Sequence, residues 1–365
     1  MRIICAIAFI LGVTYGANAQ FRTYSNEFLN IGAGARALGM GGANIASVSG
    51  AAAGYWNPAR LTTVKEIPNL AIMHTEYFSG IGKYDYASIA LPVNDNKRTI
   101  GVSLLRFAID DIPNTLYLVK PDGSVNYNDV ETFSSADYAL MVSMAQVLKE
   151  GDDFTLSAGG NVKVIHRSIG SFAKAWGFGI DAGIHFEKRQ WKFGAVLRDV
   201  TTTFNAWSFN FTEREKQVLY LTNNDIPQQS TELTAPRLVL GASYDFKFGE
   251  NLQLTTEGMI ETTFDGKRNT ILKTSFASID PRAGLELSYK DLIFVRAGIS
   301  NFQQALKDGD ITNQQKVWIY QPALGAGFKV KSVSIDYAFT NLANQNSPLY
   351  THVFSLSLDL KKKDK

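Results

Sequence analysis

The sequence predicts an all-β fold: a transmembrane outer-membrane β-barrel of about fourteen antiparallel strands with an N-terminal plug segment. Three observations predict it. Apolar and polar residues alternate with a period of two from about 67 to 360, the pattern of strands with two different faces. The strands run about 9 to 15 residues, longer than the 5 or 6 usual in soluble sheets and long enough to cross a bilayer when tilted. Short and long connections alternate, as they do in barrels with tight turns at one rim and long loops at the other.

The elements follow in order. Strands are placed at 67–75, 83–92, 97–108, 134–148, 153–167, 174–188, 191–199, 236–248, 251–264, 279–289, 292–301, 318–329, 332–340 and 350–360. Fourteen is an even number, as single-chain bacterial barrels require. Within 174–188, Trp176, Phe178, Ile180, Ala182, Ile184 and Phe186 share one face, and Gly177, Asp181, Gly183 and His185 the other. Tight turns are read at Asn94-Asp95-Asn96, Glu150-Gly151-Asp152, Arg189-Gln190, Gly249-Glu250, Lys290-Asp291 and Val330-Lys331. Long loops are read at 109–133, 200–235, 265–278, 302–317 and 341–349. This arrangement puts both termini in the periplasm. Trp176, Trp318, Tyr320 and Tyr350 fall near one rim and Trp191, Phe248 and Tyr289 near the other, two aromatic girdles. The inward faces carry Lys163, Asp181, Arg237, Asp245, Glu257, Glu261, Arg282, Glu286, Arg296 and Asp336, both signs, able to pair across the lumen.

Composition narrows the function. The chain has 365 residues, with Lys+Arg 36 against Asp+Glu 34, a near-balance that excludes a dedicated nucleic-acid binder. Cys5 is the single cysteine and lies in the leader, which removes disulfides, cysteine zinc sites and thiol nucleophiles. Mean hydropathy is −0.07, too low for a helical membrane protein but compatible with alternating strands. Residues 1–19 read as a signal peptide: Arg2, the apolar run Ile3–Val13, then Ala17-Asn18-Ala19 before Gln20. The expected domains are that leader, a Gly/Ala-rich plug segment 20–66, the barrel 67–360 and a basic tail 361–365.

No enzyme and no cofactor is expected. His74, His166, His185 and His352 lack metal-ligand spacing, and no Gly-x-Ser-x-Gly elbow occurs. Glu257 and Glu261 share a strand face, where salt bridging is the expected role rather than acid–base work.

Residues 32–61 read GAGARALGMGGANIASVSGAAAGYWNPARL and lack the two-residue period. Gly39, Gly41 and Gly42 suit positive φ and close approach, and Asn57-Pro58 sets a rigid turn. Arg36 is the candidate partner of the lumen acids. The stretch Arg36-Ala37-x-Gly39-Met40-Gly41, followed by Trp56-Asn57-Pro58-Ala59 and Leu61, resembles the N-terminus of the PorV/PorQ family within the FadL-like outer-membrane barrels. Two departures stand out: no acid occurs between Ser47 and Ala53, and the chain ends Lys361-Lys362-Lys363-Asp364-Lys365 rather than on an aromatic, which places an assembly signal within Phe354–Leu360.

The resemblance implies a non-enzymatic component of the type IX secretion system. Its partners would be the translocon barrel, secreted cargo bearing a conserved C-terminal domain, and outer-membrane lipid. The alternative is a FadL-like outer-membrane transporter of hydrophobic small molecules. The candidate partner-binding loop carries Trp207, Phe209, Phe211, Leu219, Tyr220 and Leu221. Such a cluster either forms an interface or folds over the barrel mouth and buries itself.

Overall fold

The computed structural model describes residues 23–77, 80–93, 97–118, 120, 123–226, 230–307, 314–340 and 350–360. The expected leader, the turn at 94–96, the loop at 341–349 and the basic tail lie outside the described residues.

The barrel strands are β1 (Asn69–Tyr77), β2 (Gly82–Val93), β3 (Arg98–Asn114), β4 (Glu131–Glu150), β5 (Phe154–Ile169), β6 (Ala173–Lys188), β7 (Trp191–Arg198) and β8 (Arg237–Phe248). They continue as β9 (Leu252–Thr263), β10 (Ser278–Tyr289), β11 (Ile293–Leu306), β12 (Lys316–Val330), β13 (Val333–Thr340) and β14 (Thr351–Asp359). Each pairs antiparallel with its sequence neighbour, β7 with β8 through Arg198↔Arg237 to Trp191↔Tyr244. The ring closes where β14 meets β1, Asn69↔Asp359 through Glu76↔His352. The result is a closed, fourteen-strand antiparallel barrel.

Its faces are reversed relative to a soluble barrel. On β6, Trp176 is 60 % exposed and Ile184 54 %, while Gly177, Asp181 and His185 between them are buried. Leu104, Met144, Leu285, Val295, Leu324 and Phe354 likewise point out. An apolar exterior around a polar interior is stable only where the exterior meets lipid. All seven girdle aromatics lie on that exposed face.

Several non-glycine tight-turn residues are held in the left-handed region although only one, Asp291, is of a type that favours it. Arg189, Lys290, Asp291 and Lys331 have φ between 50° and 55°. The loop end differs from expectation. β3 runs to Asn114, β4 begins at Glu131, β11 runs to Leu306 and β12 begins at Lys316, so the read loops 109–133 and 302–317 are both shorter. The segment 200–235 is not a plain loop. Strand Thr203–Phe209 continues the wall beside β6, pairs with strand Ser230–Thr234, and is separated from it by a helix, Glu213–Leu221. A break at Asp199 and Thr202, both at positive φ, and Pro236 interrupt the alternation there, which is why the sequence reads as a loop.

Candidate functional site

Residues 23–66 pack against the inward face of the wall on every side. Their short helices are α1 (Ala35–Gly39) and α2 (Ala53–Trp56), followed by a 3-10 turn at Pro58–Thr63. The Ala35 amide donates to Ser355 Oγ on β14 at 3.0 Å. The Ala51 amide donates to Asn69 Oδ1 on β1 at 2.8 Å. Asn161 of β5 donates to the Gly54 carbonyl at 2.8 Å. Glu257 of β9 accepts from the amides of Ala46 and Ser47 at 2.7 and 3.0 Å.

The motif residues hold this segment together. Tyr55 Oη donates to the Leu29 carbonyl at 2.6 Å, and Trp56 Nε1 to the Ala33 carbonyl at 2.7 Å. Trp56 is buried to 2 % exposure beside Tyr55, their rings edge-on at 5.1 Å. Asn57 caps the 3-10 turn by accepting from Ala59 N. Its amide donates to Ile45 O and to Ile184 O of β6, both at 3.2 Å. A rigid Asn57-Pro58 turn is therefore also a tie to the wall.

Backbone meets backbone where at least one side is glycine. A Cβ on Gly41 would lie 2.6 Å from Ile299 N, and Gly41 has φ 66°. On the opposite side, a Cβ on Gly159 of β5 would lie 2.6 Å from Pro58 C. Gly39 departs from expectation: it lies inside α1 rather than at positive φ, and its lack of a side chain serves close approach to Gly325. The wall glycines were the harder half to see, because inward glycines in a strand also read as loose packing.

Ionic contacts fix the segment further. Arg36 binds Glu286 of β10 with Nη2 at 2.8 Å and Nε at 2.9 Å. Glu286 is shared with Arg296, which reaches Asp336 at 2.7 Å. Arg60 donates to the Val48 carbonyl and to Glu187 of β6, both at 2.8 Å. The sequence did not single out Arg60, although it and Arg36 are the two charged residues within 32–61. A second network lines the wall: Lys163 to Asp181 and Asp199 at 2.8 and 2.6 Å, Arg237 to Asp199 and Glu261, and Arg282 to Glu261 at 3.0 Å. Lys192 pairs with Asp245 at 2.6 Å. All ten lumen charges read from the sequence face inward, and each is hydrogen-bonded or ion-paired. Glu257 and Glu261 hold the segment and the wall arginines respectively, and are not a paired acid–base site. His166 stacks on Trp176 at 4.3 Å, whereas His185 meets Ala46 O and Arg60, so the two are not brought together.

Two cavities flank α1. The one toward the loop end, about 450 Å³, is lined by Leu38, Gly41 and Gly42 together with Tyr77, Phe107, Glu261 and Arg282. The one toward the turn end, about 580 Å³, is lined by Arg36 and Ala37 with Glu286, Arg296 and Asp336. Both volumes fall within the range of small-molecule pockets.

The candidate loop residues divide. Trp207, Phe209 and Phe211 are half-buried and stack in a row with ring centroids 6.3 Å apart. Trp207 Nε1 donates to Glu232 at 2.9 Å, and Arg167 lies against both Trp207 and Phe28 at 5.1 and 5.7 Å. Trp207 and Phe209 thus lie on the wall extension beside β6, and Arg167 bridges Trp207 to Phe28 of the segment. Tyr220 and Leu221, at the end of helix α3 (Glu213–Leu221), are 78 % and 66 % exposed, with Leu219 half-buried.

The fold and lumen define the class: a membrane-type fourteen-strand barrel with its N-terminal segment held inside. No protein-family model matches the chain, and no curated protein matches it. Solved structures do share the fold. The Ralstonia pickettii toluene transporter TbuX is 14 % identical with a TM-score of 0.53, covering 90 % of this chain and 99 % of its own. The CymD monoaromatic hydrocarbon channel is 14 % identical at 0.52, covering 92 % and 99 %. A Pseudomonas aeruginosa FadL homologue is 13 % identical at 0.52, covering 90 % and 98 %. At these identities the likeness is one of fold: the barrel is FadL-like.

Proposed function

We propose that this chain is an outer-membrane transport protein that admits hydrophobic small molecules, with residues 23–66 as a plug that must shift for passage. The observation that carries the reading is the pair of lumen cavities that α1 helps to line, one through Leu38 and the other through Arg36 and Ala37. Hydrogen bonds and ion pairs tie the plug to the wall, and the plug's Phe28, Leu29, Trp56, Leu61 and Val64 also share an apolar cluster with Tyr84, Leu105 and Ile165 of the wall, so passage requires part of that packing to open. The named activities of TbuX and CymD agree with this reading and do not by themselves carry it. The turn end and both termini would face the periplasm. Cells expressing the chain should accumulate radiolabelled toluene faster than cells carrying an empty vector. Equal accumulation would remove the transport reading.

A second reading is favoured by one specific observation, the exposed Tyr220 and Leu221 on a helix that projects from the mouth. Together with the PorV/PorQ-like motif at 35–61, it supports a role as a type IX secretion component. It would dock on the translocon barrel or on cargo C-terminal domains. Pull-down from native membranes, with wild type and with a Tyr220→Ser/Leu221→Ser variant, tests it. Recovery of a large barrel or such cargo by wild type alone supports it, and identical recovery by both proteins rejects the helix tip as the docking surface.

A further inference from the structure

The segment between β9 and β10 does more than connect them. Toward the mouth, β11 parts from β10. Their pairing stops at Ala283↔Ile299, while β10 reaches back to Ser278 through Pro281, which has no amide to donate. The connecting segment takes the vacated place. Leu272 and Lys273 pair with Ile279 and Ser278 of β10. On the other side, Asn269 meets β11 as a paired strand residue would. Its Nδ2 donates to the Gln304 carbonyl at 2.7 Å, and its Oδ1 accepts from the Gln304 amide at 3.2 Å. Residues 264–277 are therefore a piece of the wall.

That piece has an inner and an outer face. Arg268, Asn269 and Thr270 line the loop-end cavity, as do Ser278 and Asp280 of β10. Ile279, between those two, points the other way. Paired residues share a face, so Leu272 stands outside with Ile279. Phe276 lies outside too. Its ring is 5.5 Å from that of Phe264, which follows the cavity-lining Thr263 and continues the outward side of β9. Phe276 is 73 % exposed, Leu272 59 % and Ile271 38 %, and Lys267 is exposed on the same segment.

We propose that the outer face of 264–277 is seated in the bilayer leaflet at the loop end, with Ile271, Leu272 and Phe276 among acyl chains and Lys267 at the headgroup phosphates. Continuity with the lipid-facing wall carries this. Leu272 stands beside Ile279, and Leu285 and Leu287 present the same outward face further along β10. Left in water, three large apolar side chains on one connection would form an exposed patch, whereas apolar residues flanked by lysine suit a headgroup boundary. Helix α3 is the contrast: its exposed Tyr220 and Leu221 belong to no wall strand. The contact does not depend on what the lumen passes.

The test uses single cysteines, because Cys5 of the leader is the chain's single cysteine. Leu272→Cys and Phe276→Cys are labelled with bimane in the mature protein, in nanodiscs of phosphatidylcholine and phosphatidylglycerol. Leu285→Cys on the wall and Tyr220→Cys on α3 are the lipid and water references. A spin-labelled lipid should quench the probes at 272, 276 and 285 several-fold more than the probe at 220, and aqueous iodide should do the reverse. Probes at 272 and 276 that respond as the one at 220 does overturn the proposal. Ile271→Ser, Leu272→Ser and Phe276→Ser together should lift the segment into water, so that trypsin cuts after Lys267 or Lys273 many times faster than in wild type. An unchanged rate in that variant, with the unheated gel mobility of a folded barrel, also overturns it. The cysteine probes decide alone should the serine variant not fold.

Discussion

Arg36 and Glu286 meet as a two-point pair, at 2.8 and 2.9 Å, across 250 residues of sequence. Glu286 serves Arg296 at the same time, so a single carboxylate ties the N-terminal segment to the wall and the wall to itself.

That sharing makes the two sides of the pair unequal. Glu286→Gln leaves Arg36 without its acid and Arg296 with Asp336 alone. It should destabilise by about 3 kcal/mol, the scale of breaking a buried pair. Arg36→Gln leaves Glu286 still bound to Arg296 and should cost clearly less. The swap Arg36→Glu with Glu286→Arg should not rescue, because the new arginine would sit against Arg296. Urea titration in liposomes, read by gel mobility, checks the order. Equal losses for both single variants, or rescue by the swap, would mean that Arg296 does not share the carboxylate.

The Gly298 wall position tests the close approach. A Cβ there would overlap the backbone of Met40 and Gly41. Gly298→Val should leave a folded, heat-modifiable barrel whose residues 23–66 are open to protease. A protected segment in that variant would contradict the packing described.

The mouth and the helix tip should respond differently. Trp207→Ala removes a hydrogen bond to Glu232 and a ring beneath Arg167, and should speed proteolysis of the 200–235 region. Tyr220→Ser and Leu221→Ser should change stability by less than about 0.5 kcal/mol, since both side chains already stand in solvent. A comparable loss at Tyr220 would mean that the helix tip is packed rather than presented.

Acid should loosen the loop-end clasp. Burial pushes the Asp265 carboxyl up, but the hydrogen bond and charge of Arg268 outweigh it and hold the group below its ordinary value. A depressed carboxyl stabilises at pH above its unfolded value and loses that contribution as pH falls through the folded one. Arg268 also holds Glu27, so residues 23–30 should become protease-accessible only below about pH 4. Asp265→Asn should expose them at neutral pH. Accessibility that is flat across the acid range would separate the clasp from this ion pair.

The barrel was legible because the physics that builds it has a strict period. Every other residue meets lipid, so Trp176, Phe178 and Ile184 announce their face without any tertiary information. Arg36 was legible as a charge in a stretch of small residues beside a lumen of acids. Helix α3 was missed, although Thr212 and Glu215 form a capping box visible in the sequence. Its nine residues were too few to stand out against strands on both sides. Strand Thr203–Phe209 was hidden by the break at Asp199, whose side chain turns into the lumen to take Lys163 and Arg237. That reason is tertiary, and no local pattern carries it.

The central claim is that residues 23–66 close the lumen of a fourteen-strand barrel. Conductance in planar bilayers tests it directly, comparing the full-length protein with one lacking 23–66. The full-length protein should be electrically silent or nearly so, and the deletion should give stable open steps from a folded barrel. Equal conductance in the two proteins, whether high or low, would contradict the claim.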